Sequence, residues 1–359
     1  MKILLLSRYD WLGASSRVRF FQYIPFLESR GWQIDISPFF ANSYLDALYS
    51  GASTIQAIAT GYLGRMKSFL RMSQYDLVWV EKEVFPFLPA LAERLMASVG
   101  TPYIVDYDDA LFHRYDRHRN LVVRSLLGHK IDAVMRYASI VIAGNGYLAQ
   151  RAKKAGATRV EIVPTVIDLE RYQKTKQHEN TGPTIVGWIG SPVTSKYLLP
   201  LVPVFKSLLR KFDVRFIAVG ADYDSLAKTP IEVTPWSEQS EVEAILGFDV
   251  GIMPLPDSPW ERGKCGYKLI QYMACGLPVV ASPVGVNSEI VTHGENGFLA
   301  NCLQKWEKYL SRLISTVEFR KNMGKKGRER VEQQYCLQVQ APRLESFLKQ
   351  TVEGARCAR

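Results

Sequence analysis

The sequence predicts an α/β protein built from two doubly wound domains, and three observations carry that prediction. Short, wholly apolar runs alternate with longer amphipathic stretches along most of the chain, as parallel strands do when crossover helices cover both faces of a sheet. One polar stretch ending in Gly-Pro, DLERYQKTKQHENTGPT at 168–184, interrupts the alternation, and the same pattern then restarts. The length of 359 residues exceeds what a single core usually serves.

In the first half the expected strands are KILLLS (2–7), QIDISPF (33–39), DLVWVE (76–81), PYIVDYD (102–108), SIVIAG (139–144) and VEIVPT (160–165), with RFFQYIPFLESRG (19–31) as an amphipathic crossover. In the second half they are TIVGWIGS (184–191), VRFIAVG (214–220), IEVTPW (231–236), DVGIMPL (249–255) and LPVVASP (277–283). The stretch 303–359 is helical and charged and adds no third domain. The expected division is a first Rossmann-like domain at 1–170, a linker at 171–183, a second at 184–330, and a helical segment at 331–359 that can pack back on the first domain.

The formal charge of +10 favours an anionic partner: nucleotide phosphates, an acidic lipid surface or nucleic acid. Nucleic acid is set aside because the chain has no compact basic motif or recognition helix. Five cysteines form neither a C-x-x-C pair nor a His-associated metal spacing, which suits a reducing cytoplasm. The apolar run in MKILLLSRYDW is too short for a signal peptide or a membrane span, so a cytoplasmic or membrane-peripheral protein is expected. Residues 55–72, IQAIATGYLGRMKSFLRM, combine apolar positions with Arg65, Lys67 and Arg71. They suit a helix resting on an anionic membrane, or a core-packing helix with a basic outer face.

In open α/β sheets ligands sit beyond the carboxyl ends of the strands, so a cleft between two facing domains is the expected site. In WERGKCGYKLIQYMACG (260–276), Gly263 and Gly266 permit close backbone approach before a helix start. Lys264, Lys268 and Gln271 are expected along one face of that helix, where a diphosphate and a sugar hydroxyl would meet them. The alternative is a solvated surface face. In WIGSPVTSKYL (188–198) a strand ends at Gly190, the hydroxyls of Ser191, Thr194 and Ser195 suit phosphate oxygens, and Lys196 adds charge. The same residues are also good helix-capping chemistry. Trp236 is either a stacking platform for a base or a buried packing residue.

YMACGLPVVASPVGVNSEIVTHGENGFL (272–299) closely resembles the retaining glycosyltransferases of the GT-B fold, in the large family 4 group. The match runs in order through Met273, Ala274, Gly276, Pro278, Val279, Val280, Ala281, Gly285, Glu289, Gly294, Asn296 and Gly297. It is strong over roughly 184–300 and looser before. The resemblance implies two Rossmann-like domains, a nucleotide-diphosphate-sugar donor and transfer of the sugar to a glycan or lipid-linked acceptor with retention. It also implies no cofactor and no metal, and a setting in bacterial surface-polysaccharide or glycolipid assembly. The family's two donor-site glutamates, eight positions apart, fall on Gly263 and Gln271, and its usual arginine falls on Ser191. Glu261 lies close enough in the loop to stand in for the first carboxylate.

RYDWLGASSRVRFFQ (8–22) puts Gly13, Ser15 and Arg17 in the loop and helix start that resemblance assigns to the acceptor side. No G-x-G-x-x-G or P-loop pattern supports a dinucleotide or ATP site. VDYDDALFHRYDRHRN (105–120) is the densest ionisable cluster, and Asp108, Asp109 and His113 are its catalytic candidates for acceptor positioning or proton transfer. Helix capping plus a surface histidine is the competing account. Asn145 beyond a strand end suits either substrate contact or a turn. Two other functions stay open at this point: an epimerase sharing the donor chemistry, and a nucleotide-sugar binding protein without catalysis.

Overall fold

The structure is a computed structural model that describes residues 1–49, 52–177 and 182–357. Residues 178–181 of the expected linker lie outside the described residues. The chain divides into two compact units: residues 1–165, 262–265 and 340–359 form the first, and residues 166–261 and 266–339 the second.

The first unit holds strands β1 (Lys2–Leu6), β2 (Gln33–Ile36), β3 (Leu77–Glu81), β4 (Tyr103–Tyr107), β5 (Ile140–Ala143) and β6 (Val160–Ile162). They form a parallel sheet in the order β2-β1-β3-β4-β5-β6. β3 and β4 are buried at every residue, their carboxylates Glu81 and Asp106 included. Its helices are α1 (Ala14–Arg19), α2 (Ile24–Ser29), α3 (Asn42–Tyr49), α4 (Ile55–Leu70), α5 (Leu91–Ser98), α6 (His113–Asp116), α7 (Leu121–Leu127), α8 (Lys130–Tyr137) and α9 (Gly146–Lys154). The amphipathic crossover expected at 19–31 is broken: a 3-10 turn over Phe21–Tyr23 leads into α2, whose second residue is Pro25. Proline is tolerated in a first helical turn and not in the interior, so the continuous helix cannot form. Asn120 and Asn145 cap α7 and α9, accepting from Val122 N at 2.8 Å and Leu148 N at 3.0 Å.

The second unit holds β7 (Thr184–Ile189), β8 (Val214–Val219), β9 (Ile231–Thr234), β10 (Val250–Met253), β11 (Val279–Ala281) and β12 (Gly297–Leu299). Its order is β12-β11-β10-β7-β8-β9, again parallel. The sequence reading missed β12, which lies inside the GENGFL motif. Among its helices are α10 (Val202–Leu209), α11 (Tyr223–Leu226), α12 (Glu241–Leu246), α13 (Pro259–Arg262), α14 (Tyr267–Ala274), α15 (Asn287–Ile290), α16 (Leu303–Ser315) and α17 (Val317–Gln334). The last helix, α18 (Leu337–Cys357), begins in the second unit, and from Gln340 onward it belongs to the first.

Each sheet has one point where the strand order reverses: between β1 and β3 in the first unit, between β7 and β10 in the second. Helices from successive strands diverge there and leave a crevice at the carboxyl ends. The functional candidates gather at these two places.

Candidate functional site

In the first unit a buried charge network fills the carboxyl ends of β1, β3 and β4. Glu81, Lys82 and Glu83 close β3 and are 2–4% exposed. Glu81 accepts hydrogen bonds from Ser16 Oγ (2.6 Å), Ser15 Oγ (3.0 Å) and Arg8 N (2.7 Å). Lys82 Nζ lies 2.9 Å from both Asp108 Oδ1 and Asp109 Oδ2. Glu83 is bound by Arg8, Lys130 and the Tyr115 hydroxyl. Lys82 has φ +68°, and Phe87 is the other non-glycine residue with positive φ among the described residues. A side chain in that region strains the backbone and persists only where surroundings over-determine it.

Asp108 also accepts from Ser15 Oγ at 2.6 Å. Burial alone would raise its carboxyl, but Lys82 and Ser15 outweigh burial and hold it at about 2. Burial likewise works against the Lys82 ammonium, and Asp108 and Asp109 more than compensate, keeping it charged. Asp109 Oδ1 is buried without a hydrogen-bond partner. The stabilisation from Asp108 is present above its ordinary value near 4 and is lost as pH falls towards 2. Relative to Asp108→Asn, the wild type is therefore expected to lose about 2 kcal/mol between pH 5 and pH 2, read by urea unfolding. Parallel acid limbs in the two proteins would refute it.

The remaining first-unit candidates are placed differently. His113 is engaged at both ring nitrogens, Nδ1 with Asp116 (2.9 Å) and Nε2 with the Tyr147 hydroxyl (2.8 Å). Gly13 is needed for space, since a Cβ would sit 2.2 Å from Tyr9 Cβ. Arg17 donates to Trp11 O at 3.2 Å, while Arg19 grips Asp106 with two 2.9 Å bonds. Asn145, besides capping α9, donates to the carbonyls of Gly263 (2.9 Å) and Lys264 (3.0 Å). The segment 262–265 is thereby tied into the first unit.

That attachment corrects the expected helix face. α14 starts at Tyr267, so Lys264 lies in the preceding loop and does not share a helix with Lys268. Gly266, at φ +67°, reverses the chain between them, and a Cβ there would meet Ile290 Cδ1 at 2.4 Å. Gln271 is 3% exposed and donates to the Tyr172 hydroxyl at 3.0 Å. Tyr172 donates to Glu241, which also accepts from Trp236 Nε1 at 3.0 Å. The amide of Gln271 thus sits in a buried chain that ends on the Trp236 indole.

Trp236 itself is 39% exposed, which removes the buried-packing reading. Three other groups converge beside it at the carboxyl ends of β7 and β8. A Cβ on Gly220 (φ +72°) would meet Gly190 O at 2.4 Å and Trp236 Cβ at 3.0 Å. A Cβ on Gly190 would meet Lys268 Nζ at 2.5 Å. The Lys268 ammonium stands 4.7 Å from the Trp188 ring centroid. Gly220 was not anticipated, although it ends the VRFIAVG run as Gly190 ends TIVGWIG. Thr194 N donates to Ser191 O (2.9 Å) and Ser191 N to Thr194 Oγ1 (3.3 Å), so this pair folds its own turn, with Ser191 and Lys196 exposed. Buried Ser195 Oγ accepts from Asp222 N at 2.8 Å. Glu261 is 8% exposed and accepts from the Tyr197 hydroxyl at 2.6 Å. Among the described residues no cluster of three His, Cys, Asp or Glu is arranged to hold a metal ion, and no helix is long and apolar enough to cross a membrane.

Residues 183–316, from β7 through α16, match the model of the family described as Glycosyl transferases group 1. The chain is similar to the capsular polysaccharide biosynthesis glycosyltransferase CapM of Staphylococcus aureus, 24% identical over 184 residues. That match covers 46% of this chain and 47% of CapM, so the chain spans about half the length of this curated relative. Among solved structures, a sucrose-phosphate synthase from Thermosynechococcus elongatus is similar at TM-score 0.74 and 13% identity, covering 99% of this chain and 100% of that one. Anabaena HepE in complex with UDP-glucose is similar at TM-score 0.68 and 16% identity, covering 97% and 99%. The chain therefore has the GT-B fold of two Rossmann-like domains, and its residues 183–316 match the Glycosyl transferases group 1 family.

Proposed function

We propose that the protein is a retaining glycosyltransferase of family 4, moving a hexosyl group from a nucleotide-diphosphate sugar to an acceptor hydroxyl. The setting is bacterial cell-surface polysaccharide or glycolipid assembly, in the cytoplasm and peripheral to the membrane. The observation that carries the reading is the convergence of Gly190, Gly220, Trp236 and Lys268 beyond one sheet's carboxyl ends. Two glycines without side chains let Lys268 and Trp236 close in on the strand ends, a half-exposed indole offers a stacking face, and an ammonium neutralises phosphate. The part of CapM in capsular polysaccharide biosynthesis and the UDP-glucose held by HepE support the same reading.

In this reading the second unit holds the donor. Lys268 binds the diphosphate, with Lys196 and the hydroxyls of Ser191 and Thr194 around it and the Gly266-led start of α14 beneath. Gln271 acts indirectly, fixing the Trp236 platform through Tyr172 and Glu241. The first unit holds the acceptor, with Asp108 and Asp109 orienting its hydroxyl and Gly13, Ser15 and Arg17 shaping the loop. His113 contributes through the Tyr147 hydroxyl it holds. The acceptor oxygen bonds to the anomeric carbon on the face from which the diphosphate departs. The bond from that carbon to the phosphate oxygen breaks, and the acceptor proton passes to the leaving oxygen. Stabilising that leaving charge is the protein's main contribution, and no cofactor or metal is required.

The test is titration with UDP, GDP, ADP and their sugar conjugates, followed by calorimetry and thermal shift. One nucleotide series is expected to bind selectively, with slow sugar release, and Lys268→Ala is expected to weaken it about 10- to 100-fold. Binding without any turnover would favour the non-catalytic binding protein. No binding in any series would overturn the reading.

A further inference from the structure

A helix that covers a sheet needs one apolar face, and three helices of the first unit carry a second. α4, α5 and α7 all pack into one core with Leu4, Leu6, Val78, Val80 and Val105, residues at alternate strand positions, so all three cover the same face of the sheet. Phe69, Met96 and Leu127 are their respective anchors. On the outward side α4 leaves Leu63, Met66 and Leu70 exposed, a stripe at helical spacing. α5 and its C-cap do the same with Leu91, Leu95 and Val99, and α7 with Leu121, Val122 and Leu126. These nine side chains are 46–73% exposed, where soluble surfaces scatter such residues singly.

Two further observations say what covers this face. Within 55–71, 91–99 and 113–129 there are seven exposed arginines and lysines, among them Lys67, Arg94, Arg117, Arg119 and Arg124. Against them stand two carboxylates: Glu93 is 1% exposed, and Asp116 is bound by His113 and Arg151. The loop ahead of α5 also holds Phe87 at φ +55° with its ring 40% exposed, and the Arg114 guanidinium lies 4.9 Å from that ring. The ring also packs edge-on against Tyr115, whose hydroxyl accepts from Phe87 N at 3.1 Å, so packing holds the strained turn while part of the ring stays exposed. Apolar stripes interleaved with unpaired positive charge match one partner: an anionic lipid bilayer, with headgroups meeting the cations and acyl chains meeting the leucines.

We propose that the outer surface of α4, α5 and α7 is a docking face on which the first unit lies on anionic lipid. It rests on the membrane-peripheral part of the function proposed above and not on sugar transfer. It extends the expectation for residues 55–72 from one helix to three.

The experiment is co-sedimentation of the full chain with phosphatidylcholine vesicles, with and without phosphatidylglycerol, at low and high salt. Binding is expected only with phosphatidylglycerol and to weaken at high salt. The pairs Leu91→Gln/Leu95→Gln, Leu121→Gln/Leu126→Gln and Arg117→Glu/Arg119→Glu are each expected to weaken it about tenfold or more. Leu209→Gln, at an exposed position of the second unit, is expected to change nothing. A cooperative thermal unfolding transition in every variant reports that the fold is intact, and nucleotide binding is scored separately, so failure of the donor reading leaves this result legible. Absence of binding to phosphatidylglycerol vesicles, or binding indifferent to all three pairs, overturns the proposal. A concentration-dependent dimer lost in the same variants, without vesicle binding, overturns it too and assigns the face to a second copy of the chain.

Discussion

Replacing Lys82 by methionine is expected to lower the unfolding free energy by about 3–5 kcal/mol at pH 7. Lys82 is 4% exposed, and its ammonium lies 2.9 Å from a carboxylate oxygen on each of Asp108 and Asp109. Removing it leaves two like charges side by side, one already buried without a hydrogen-bond partner at Asp109 Oδ1. Methionine keeps the chain length and inherits the same positive φ, so backbone strain cancels in the comparison. Lys82→Gly would confuse the result, because glycine relieves that strain. The difference is expected to shrink as pH falls from 7 to 4, because protons relieve the repulsion that the missing cation leaves behind. Urea unfolding at pH 7 and pH 4 reads both numbers. A loss under about 1 kcal/mol at pH 7 would mean that the cation does not hold this cluster together.

Placing a carboxylate by Gly263→Glu, where the resemblance to GT-B enzymes puts one, is expected to cost about 3 kcal/mol. A Cβ at Gly263 would lie 2.6 Å from Ala110 Cβ and 2.7 Å from Ala110 N, and a backbone atom cannot turn aside as a flexible side chain does. The carbonyl of Gly263 is moreover held by Asn145, so the segment cannot swing out without losing that bond. The combination Gly263→Glu with Ala110→Gly removes one of the two clashing atoms and is expected to recover part of the stability. A single variant as stable as wild type would show that this loop yields easily, and would reopen the position to a donor-binding side chain. Thermal unfolding of the three proteins decides it.

Much of the fold was legible because buried parallel strands announce themselves. Eleven of the twelve strands lie within the apolar runs read from the sequence, each shorter than its run at one or both ends. β12 escaped because GENGFL was read as a family signature. Its Asn296 in fact makes structure, accepting from Thr292 N (2.9 Å) and donating to Ile290 O (3.1 Å). The site was less legible. DLVWVEKE reads as a strand with a charged end, yet Glu81, Lys82 and Glu83 are the hub of the first unit's polar network. Three ionisable residues closing a wholly apolar strand were the available signal, since buried charges persist only with partners. Those partners, Ser15, Ser16, Asp108 and Lys130, come from elsewhere in the chain.

What the sequence determined by itself was everything set by local pattern. It supplied the alternation that specifies two parallel sheets, the glycines at strand ends, and the ordered motif at 272–299. These depend on neighbours a few residues away, whose periodicity is visible in one dimension. Only the tertiary structure decided which polar side chains face a ligand and which face the core. Lys264, Lys268 and Gln271 read as one helix face, but the left-handed turn at Gly266 separates the first from the other two, and Tyr172, ninety-nine positions away, takes Gln271 into the interior. A helix repeat says which residues share a side. It does not say what stands opposite, because a buried polar group is settled by partners that the chain brings from a distance.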